Sequence, residues 1–384
     1  MIDVLVAGGG PVGLATAIRC ALAGLSVTVA EPRAAPVDKA CGEGVMPAAV
    51  RRLAALGVTP DGHPLRGIRY LDGRHQADAP FRHGDGLGVR RTVLHAALAQ
   101  RAGELGVSVV GERVGGFEQH SGHVTAAGVE ARYLVAADGL HSGIRRGLEH
   151  DSPPAPARSG LIGTLGRHRP APARYGLRRH FRVAPWTDLV EVHWTARAEA
   201  YVTPVSGDVV GIGLLFDRPA REDQPAAAAA GLGAGAGPGT GPGTGAGAGQ
   251  FAARLSAFPA LLARLDGAAT ASEVRGAGPM RQDVRRRVHG RVLLVGDASG
   301  YLDALTGEGL GVGLAQAEAL AACLAAGRPD DYERAWRRVS GPAWRLTAGL
   351  LWSRDQPLLA PRIVPAAQRL PWLFSAVVNH AAQA

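Results

Sequence analysis

Residues Ile2 to Arg33 read IDVLVAGGGPVGLATAIRCALAGLSVTVAEPR, and this stretch decides the fold. Ile2 to Ala7, apolar except for Asp3, has the length and β-branched content of a buried parallel strand. It runs into Gly8, Gly10 and Gly13, a G-x-G-x-x-G. Pro11 suits the first turn of a helix, where its missing N–H costs nothing, and the helix then carries Leu14, Ile18 and Leu22 until Gly24 can end it. A second strand, Ser26 to Ala30, ends at Glu31. Gly8 permits the tight turn, Gly10 lets a pyrophosphate approach the backbone at a helix N-terminus, and Gly13 lets helix and strand pack closely. Glu31, eighteen residues after Gly13, can accept hydrogen bonds from both ribose hydroxyls, which argues against a 2′-phosphate. An unliganded turn in an ordinary βαβ unit is the bland reading, and strand, helix and acid together favour a dinucleotide site.

With 384 residues the chain can form one large or two interleaved domains with substantial cores. Cys20, Cys41 and Cys323 make neither a C-x-x-C nor a disulfide framework, which fits a reducing compartment. Thirteen histidines show no H-x-H or H-E-x-x-H spacing, so no metal site is expected. The first strand starts at residue 2, leaving no room for a signal peptide, and no apolar run is long enough to span a bilayer; a cytoplasmic protein is expected. The net charge of +9, from 42 Lys plus Arg against 33 Asp plus Glu, is spread along the chain. No basic stripe with interleaved aromatics accompanies it, so nucleic acid is not an expected partner. An Arg-rich surface, or attraction for phosphorylated cofactors, accounts for the charge.

Beyond the first βαβ, PVDKACGEGVMPAAVRRLAALGV (36 to 58) is a glycine-bearing loop before a helix with Val50, Leu53 and Leu56 on one face. Gly42 and Gly44 allow close approach to a flat ligand, in the company of Lys39, Cys41 and Glu43; a surface loop with a buried cysteine is the alternative. Residues 66 to 83 read as a hairpin turned at Asp72-Gly73. A helix follows through Val93, Leu94, Leu98 and Ala102, stopped by Gly106. Arg90 and Arg91 stand at its start, the end a helix dipole disfavours, so an anionic partner is expected there. Val107 to Val110 is a strand, and Phe117 to Leu134 alternates around a turn at His120-Ser121-Gly122. The strand Tyr133 to Ala137 ends in Asp138-Gly139, an acid and a glycine where open α/β sheets bind ligands, with Ser142 and Arg145 opening the next helix. From Ser159 the texture turns to strands: Leu161 to Leu165, Tyr175 to Val183, Leu189 to Trp194, Ala200 to Val205 and Val209 to Phe216, an antiparallel sheet with one wet or ligand-facing side. His180, Arg182, Trp186 and Trp194 are its candidate pocket residues. Residues 225 to 250 are Gly, Ala and Pro without large apolar groups and read as a disordered insertion. A buried strand, Arg291 to Val295, then closes at Gly296-Asp297, and Thr306-Gly307-Glu308-Gly309 opens a long helix. Asp297 is placed to hold a sugar or alcohol hydroxyl, and Gly307 to Gly311 offer free N–H groups to an electron-rich ring or carbonyl.

These three motifs, in this order, resemble the FAD-dependent class A flavoprotein monooxygenases and the related geranylgeranyl reductases over essentially the whole chain outside 225 to 250. The resemblance implies an α/β fold, a Rossmann-like FAD-binding domain interleaved with an antiparallel β-sheet substrate domain and a helical C-terminal segment. The expected division is 1 to 62, 86 to 158 and 276 to 329 for FAD, 63 to 85 and 159 to 275 for substrate, and 330 to 384 for the helices. Implied FAD contacts are Gly8, Gly10, Pro11, Val12, Gly13, Glu31 and Arg33 at the first motif, Lys39, Cys41 and Gly42 in the loop, Arg91, Val114, Asp138 and Gly139, then Gly296, Asp297, Gly307, Gly309, Leu310 and Gly311. DKACGEG and LTGEGLGVGL look like the reductase side, and the Pro-Pro common after G-D in the monooxygenases is absent, as is the halogenases' W-x-W-x-I-P. RRHFRVAPWTDLVEVHW followed by EAYVTPVSGDVVGIGLL looks like monooxygenase-type flavoproteins of actinobacterial secondary metabolism.

The expected activity is therefore an FAD monooxygenase that takes electrons from transiently bound NADPH or NADH and uses molecular oxygen. A flavin C4a-hydroperoxide would hydroxylate an apolar aromatic or polyketide-like small molecule, with His180 or Arg182 binding or deprotonating a phenol. Two alternatives stay open: an ene-reductase with Cys41 beside the flavin, and a non-catalytic flavin-binding module. The apolar segment from Asp330, with Trp336, Trp344, Trp352 and Trp372, is read as core packing, as a cap over a greasy substrate, or as a peripheral contact with a membrane surface without stable insertion.

Overall fold

The computed structural model describes residues 1–150, 173–217 and 245–383. The first apolar run forms strand β1 (Ile2–Ala7), helix α1 (Pro11–Leu22) follows the glycine turn, and β2 (Val27–Ala30) returns parallel to β1. Helix α2 (Pro47–Ala54) comes next, then the hairpin β3 (Gly67–Leu71) and β4 (Gln76–Pro80) around Asp72 and Gly73. Helix α3 (Arg91–Glu104), β5 (Ser108–Val110), β6 (Val129–Ala136) and α4 (Gly143–His150) complete the first half. The second half carries strands β7 (Arg174–Arg182), β8 (Leu189–Trp194), β9 (Ala198–Pro204) and β10 (Val209–Asp217), then helices α5 (Gly245–Leu255) and α6 (Pro259–Arg264). Strand β11 (Val292–Leu294) leads to helices α7 (Gly309–Ala325), α8 (Tyr332–Asp355), α9 (Ile363–Arg369) and α10 (Pro371–Ala381).

Strands β11, β6, β1, β2 and β5 lie side by side and parallel, with β1 in the middle. Leu5, Val6 and Leu134 are fully buried in it because both faces are covered, one by helices and the other by the strand residues Val124 and Ala126 together with α4. α1, α3 and α7 cover one face, where Leu14, Ile18, Leu98, Leu314 and Leu320 meet Val4, Val6 and Val135. The second sheet runs β7, β10, β9, β8 antiparallel, and β3 joins β8 in parallel, bringing residues 67 to 80 into it. Short strands at 44–45, 63–65 and 86–88 make a third sheet.

One expectation changes, the bounds of the glycine-rich insertion. The antiparallel sheet is covered on both faces: Ala200, Val202 and Ile212 pack against Phe251 and Leu261, while Val190 and Val192 pack with Phe374 and Val378. Glu191 is buried because Trp186, His193 and Arg69 surround its carboxylate. The glycine-rich insertion read as 225 to 250 yields to helix from Gly245, since Phe251 and Leu255 anchor α5 in that core. Its residues 225 to 244, and the strand expected at Leu161 to Leu165, lie outside the described residues.

Candidate active site

Parallel pairing in register sets the site. Ala7 pairs with Ala30 and with Ala136, and Ala136 with Leu294, so β1, β2, β6 and β11 all end on one edge. Gly8 and Glu31 directly follow two of those strand ends, and Asp138 and Gly296-Asp297 begin two residues past the other two, which brings the three motifs together at the carboxyl edge of an open sheet.

At the first corner Gly8 has φ +106, and a Cβ there would lie 2.6 Å from Ala137 O. A Cβ on Gly13 would lie 1.9 Å from Gly8 O, whereas one on Gly10 would meet nothing within 4 Å. Glu31 is buried and accepts from Gly9 N–H (2.8 Å) and from Arg33 Nε (2.7 Å) and Nη2 (2.8 Å). Burial opposes its ionisation, but the Arg33 and Gly9 donors hold the carboxyl below its ordinary range. At the second corner Asp138 Oδ2 accepts Gly143 N–H (2.9 Å) and caps α4. Arg145 ties the second corner to the third, donating to Leu140 O (2.9 Å) and to Asp297 O (3.3 Å). Lys39 Nζ meets Asp297 Oδ2 at 2.9 Å and stands 3.4 Å from where a Gly139 Cβ would be. Burial would raise the Asp297 pKa, but Lys39, Arg91 and Arg145 outweigh it, so the carboxylate stays charged. Val12 packs against Gly296 and Gly313, whose missing side chains admit it. Leu310 packs on the same core, while Val114 is half-buried beside the core under β6.

The loop 38 to 45 holds a buried polar cluster that composition did not announce. Glu43, at φ +60 and buried, accepts Arg91 N–H with Oε1 (2.8 Å) and meets His180 Nε2 with Oε2 (2.5 Å). This supplies the anion expected at the start of α3. Arg178 donates to Asp38, to Lys39 O (3.2 Å) and toward His180 Nδ1 (3.1 Å). Cys41 Sγ accepts Glu43 N–H at 3.4 Å, and Thr203 donates to Gly42 O (2.8 Å). His180 is fully buried with both ring nitrogens engaged inside the protein, by Glu43 on one side and Ser272 and Arg178 on the other. Arg182 shares its strand face, but β7 ends there: its side chain is 65% exposed and pairs with Asp208. The expectation that either faces a substrate therefore gives way to a different geometry, a buried brace and a surface pair. Trp186 lies on the far side of the sheet under Arg264. Glu43 was noted in the loop but not as a partner of His180, and Asp38 and Arg178 were not singled out, although Arg178 and His180 share a strand face two residues apart, the one signal that links them.

At the head of α7, Glu308 is buried with Oε1 unpartnered and Oε2 accepting from Thr306 Oγ1 (3.3 Å). Burial pushes its pKa up to about 7 from an ordinary 4.5. The native state thus holds a proton that the unfolded chain releases, and stability falls as pH rises from 4.5 to 7. Glu308→Gln is expected to match the parent in thermal melts at pH 4.5 and below and to exceed it by about 3 kcal/mol above pH 7. An equal difference at both pH values would refute this.

Next to this turn, Tyr201 donates to Leu305 O (3.1 Å) and Met46 Cε comes 3.3 Å from where a Gly307 Cβ would be. Tyr70 packs in tilted contact with Trp194, ring centroids 5.3 Å apart, and with Phe374 at 4.7 Å. Trp194 Nε1 is buried there without a hydrogen-bond partner. Burial raises the Tyr70 and Tyr201 pKa values, so both hydroxyls stay neutral. Among the described residues no group of three or more His, Cys, Asp or Glu could hold a metal ion.

The edge fits FAD in what it leaves open. The α1 N-terminus has no side-chain cap and no acid in its first turn, and open space adjoins Gly10. Asp138 Oδ1 and Arg91 Nε are buried without partners on the same edge.

Comparison with known proteins agrees. The family described as FAD binding domain matches residues 1–201. A 3-(3-hydroxy-phenyl)propionate/3-hydroxycinnamic acid hydroxylase of Mycobacterium sp. (strain JLS) is 32% identical over 179 residues, 41% of this chain and 31% of that protein. The chain thus spans less than a third of the length of that hydroxylase. A menaquinone reductase of Mycobacterium tuberculosis (strain CDC 1551 / Oshkosh) is 28% identical over 98% of this chain and 89% of its own. Among solved structures, a flavoprotein/dehydrogenase from Cytophaga hutchinsonii superposes with a TM-score of 0.74 at 18% identity, over 99% of this chain and 93% of the other, a likeness of fold.

Proposed function

Because the chain belongs to the FAD-binding domain family, we propose that this FAD-dependent oxidoreductase uses NAD(P)H and oxygen to hydroxylate an apolar aromatic or polyketide-like small molecule. The observation that carries the reading is the aromatic cluster of Tyr70, Trp194 and Phe374, which Tyr201 of the same core ties to the turn at Leu305 through its hydroxyl. Bound FAD supplies two-electron redox chemistry there. The chain's part is to hold and orient. The Gly10 end of α1 receives the pyrophosphate, Glu31 and Arg33 the ribose, and Asp297 the polyol chain. The N–H groups at the start of α7, from Glu308 to Gly311, draw negative charge to the head of that helix, while Gly307 N–H donates to Ala304 O. Glu308 can hold a proton at Oε1 near neutral pH within reach of that turn. The aromatic cluster excludes water, and Trp194 Nε1 offers its one free donor to a carbonyl or phenol oxygen. His180 acts as a positioning residue for Glu43, not as a base.

A second reading, reduction of a quinone or alkene, is favoured by the match to a menaquinone reductase along nearly the whole chain and by Cys41 next to Arg91. The test is to record NAD(P)H and oxygen consumption by the yellow protein with phenols, quinones and polyprenyl alkenes. Substrate-stimulated oxygen uptake with a hydroxylated product supports the proposal. Turnover that persists without oxygen and leaves a reduced product overturns it in favour of the reductase.

A further inference from the structure

More than half of the exposed large apolar side chains among the described residues sit on one short stretch near the C-terminus. Trp352 (60% exposed) is in the last turn of α8, Leu358 (74%) and Leu359 follow it, and Leu370, Trp372 (67%) and Leu373 lie where α9 meets α10. These elements touch in sequence, α8 and α9 both meeting the turn Ala360–Arg362 and α9 meeting α10. From Gln356 to the last residue the chain has no Asp or Glu, while Arg362 and Arg369 are exposed between the apolar groups. Exposed tryptophans and leucines interspersed with arginines, without acids, are the chemistry of a helix lying in the headgroup layer of an anionic bilayer. No helix among the described residues is long and apolar enough to cross a membrane.

We propose that this stretch docks the enzyme onto the surface of an anionic membrane and passes lipid-soluble substrate to the site. The link to the site is direct. Leu373 faces out, and the next residue, Phe374, packs in tilted contact with Tyr70 of the aromatic cluster at 4.7 Å between ring centroids, while α9 and α10 pack on β4. One helix therefore spans from the proposed bilayer contact to the pocket wall. The inference rests on the reading above for the pocket, and it narrows the substrate class to phenols or quinones that partition into lipid.

The experiment is co-sedimentation of the flavin-loaded full chain with phosphatidylglycerol–phosphatidylcholine vesicles and with pure phosphatidylcholine vesicles. Binding is expected with the first and about tenfold weaker with the second or at high salt. Leu358→Ser, Trp372→Ser and Leu373→Ser together are expected to weaken it by about tenfold or more, since exposed residues bury their apolar area only on binding. Turnover of a water-soluble phenol should be unchanged in that variant. Vesicle binding is read without turnover, so it fails or stands apart from the hydroxylation reading. Absence of wild-type vesicle binding, or equal binding by the triple variant, overturns the proposal. So does a dimer in sedimentation velocity that the triple variant dissolves, because a second copy would then own the face.

Discussion

Gly13→Ala is expected to give protein that is colourless and less stable by about 3 kcal/mol, whereas Gly10→Ala should fold normally and still lose flavin. The contrast lies in the surroundings of each new methyl. At Gly13 it lies 1.9 Å from Gly8 O and 3.2 Å from Ala137 Cβ, and Gly8 cannot retreat because its own position is pressed against Ala137 O. Helix α1 must then lift off the sheet. At Gly10 the methyl meets nothing within 4 Å, and φ −67 with ψ 173 is open to any residue. The space it takes is the space a pyrophosphate needs. Flavin absorbance per protein and thermal melts on both variants check this, with flavin affinity falling by about a hundredfold for Gly10→Ala, or roughly 2.7 kcal/mol. Full flavin retention by Gly10→Ala would place the cofactor elsewhere.

The next largest effect is expected at the buried brace. Glu43, His180 and Arg178 are each 4% exposed or less, and none has water to fall back on. His180→Phe removes the partner of Glu43 Oε2 and leaves Arg178 with Asp38 and Lys39 O. Breaking one member of such a buried set costs about 3 to 5 kcal/mol; the low end is expected here, because Glu43 Oε2 loses its donor while Arg178 still lies 3.8 Å from Oε1. Glu43→Gln should cost less, since an amide oxygen can still accept Arg91 N–H, and the double variant should recover part of the loss. Urea unfolding of the two single variants and the double variant measures the coupling. Strictly additive losses under about 1 kcal/mol each would mean that the cluster does not act as a unit. Flavin affinity should fall alongside stability, because Glu43 holds the loop that carries Lys39 to Asp297.

Much of this was legible from the chain alone because its causes are local. An apolar run of strand length, three glycines at fixed spacing and a proline at a helix start specify β1, the turn and α1 within a few residues of each other. The Asp138-Gly139 and Gly296-Asp297 corners follow buried strands for the same reason. Period-two alternation likewise marked β7 to β10, but alternation says which residues share a face and not what covers it. The Glu191 carboxylate is enclosed by Trp186, His193 and Arg69, of which Arg69 comes from a hairpin more than a hundred residues away in the chain.

Only the tertiary structure decided which corners meet and who pairs with whom. Lys39 reaches Asp297 across 258 residues and Glu43 reaches His180 across 137, separations over which local pattern carries no information. Local backbone preference determines strands, helices and turns, because the forces act between near neighbours. Register between strands, and the burial of charge that only a matched partner can offset, depend on the whole packed chain.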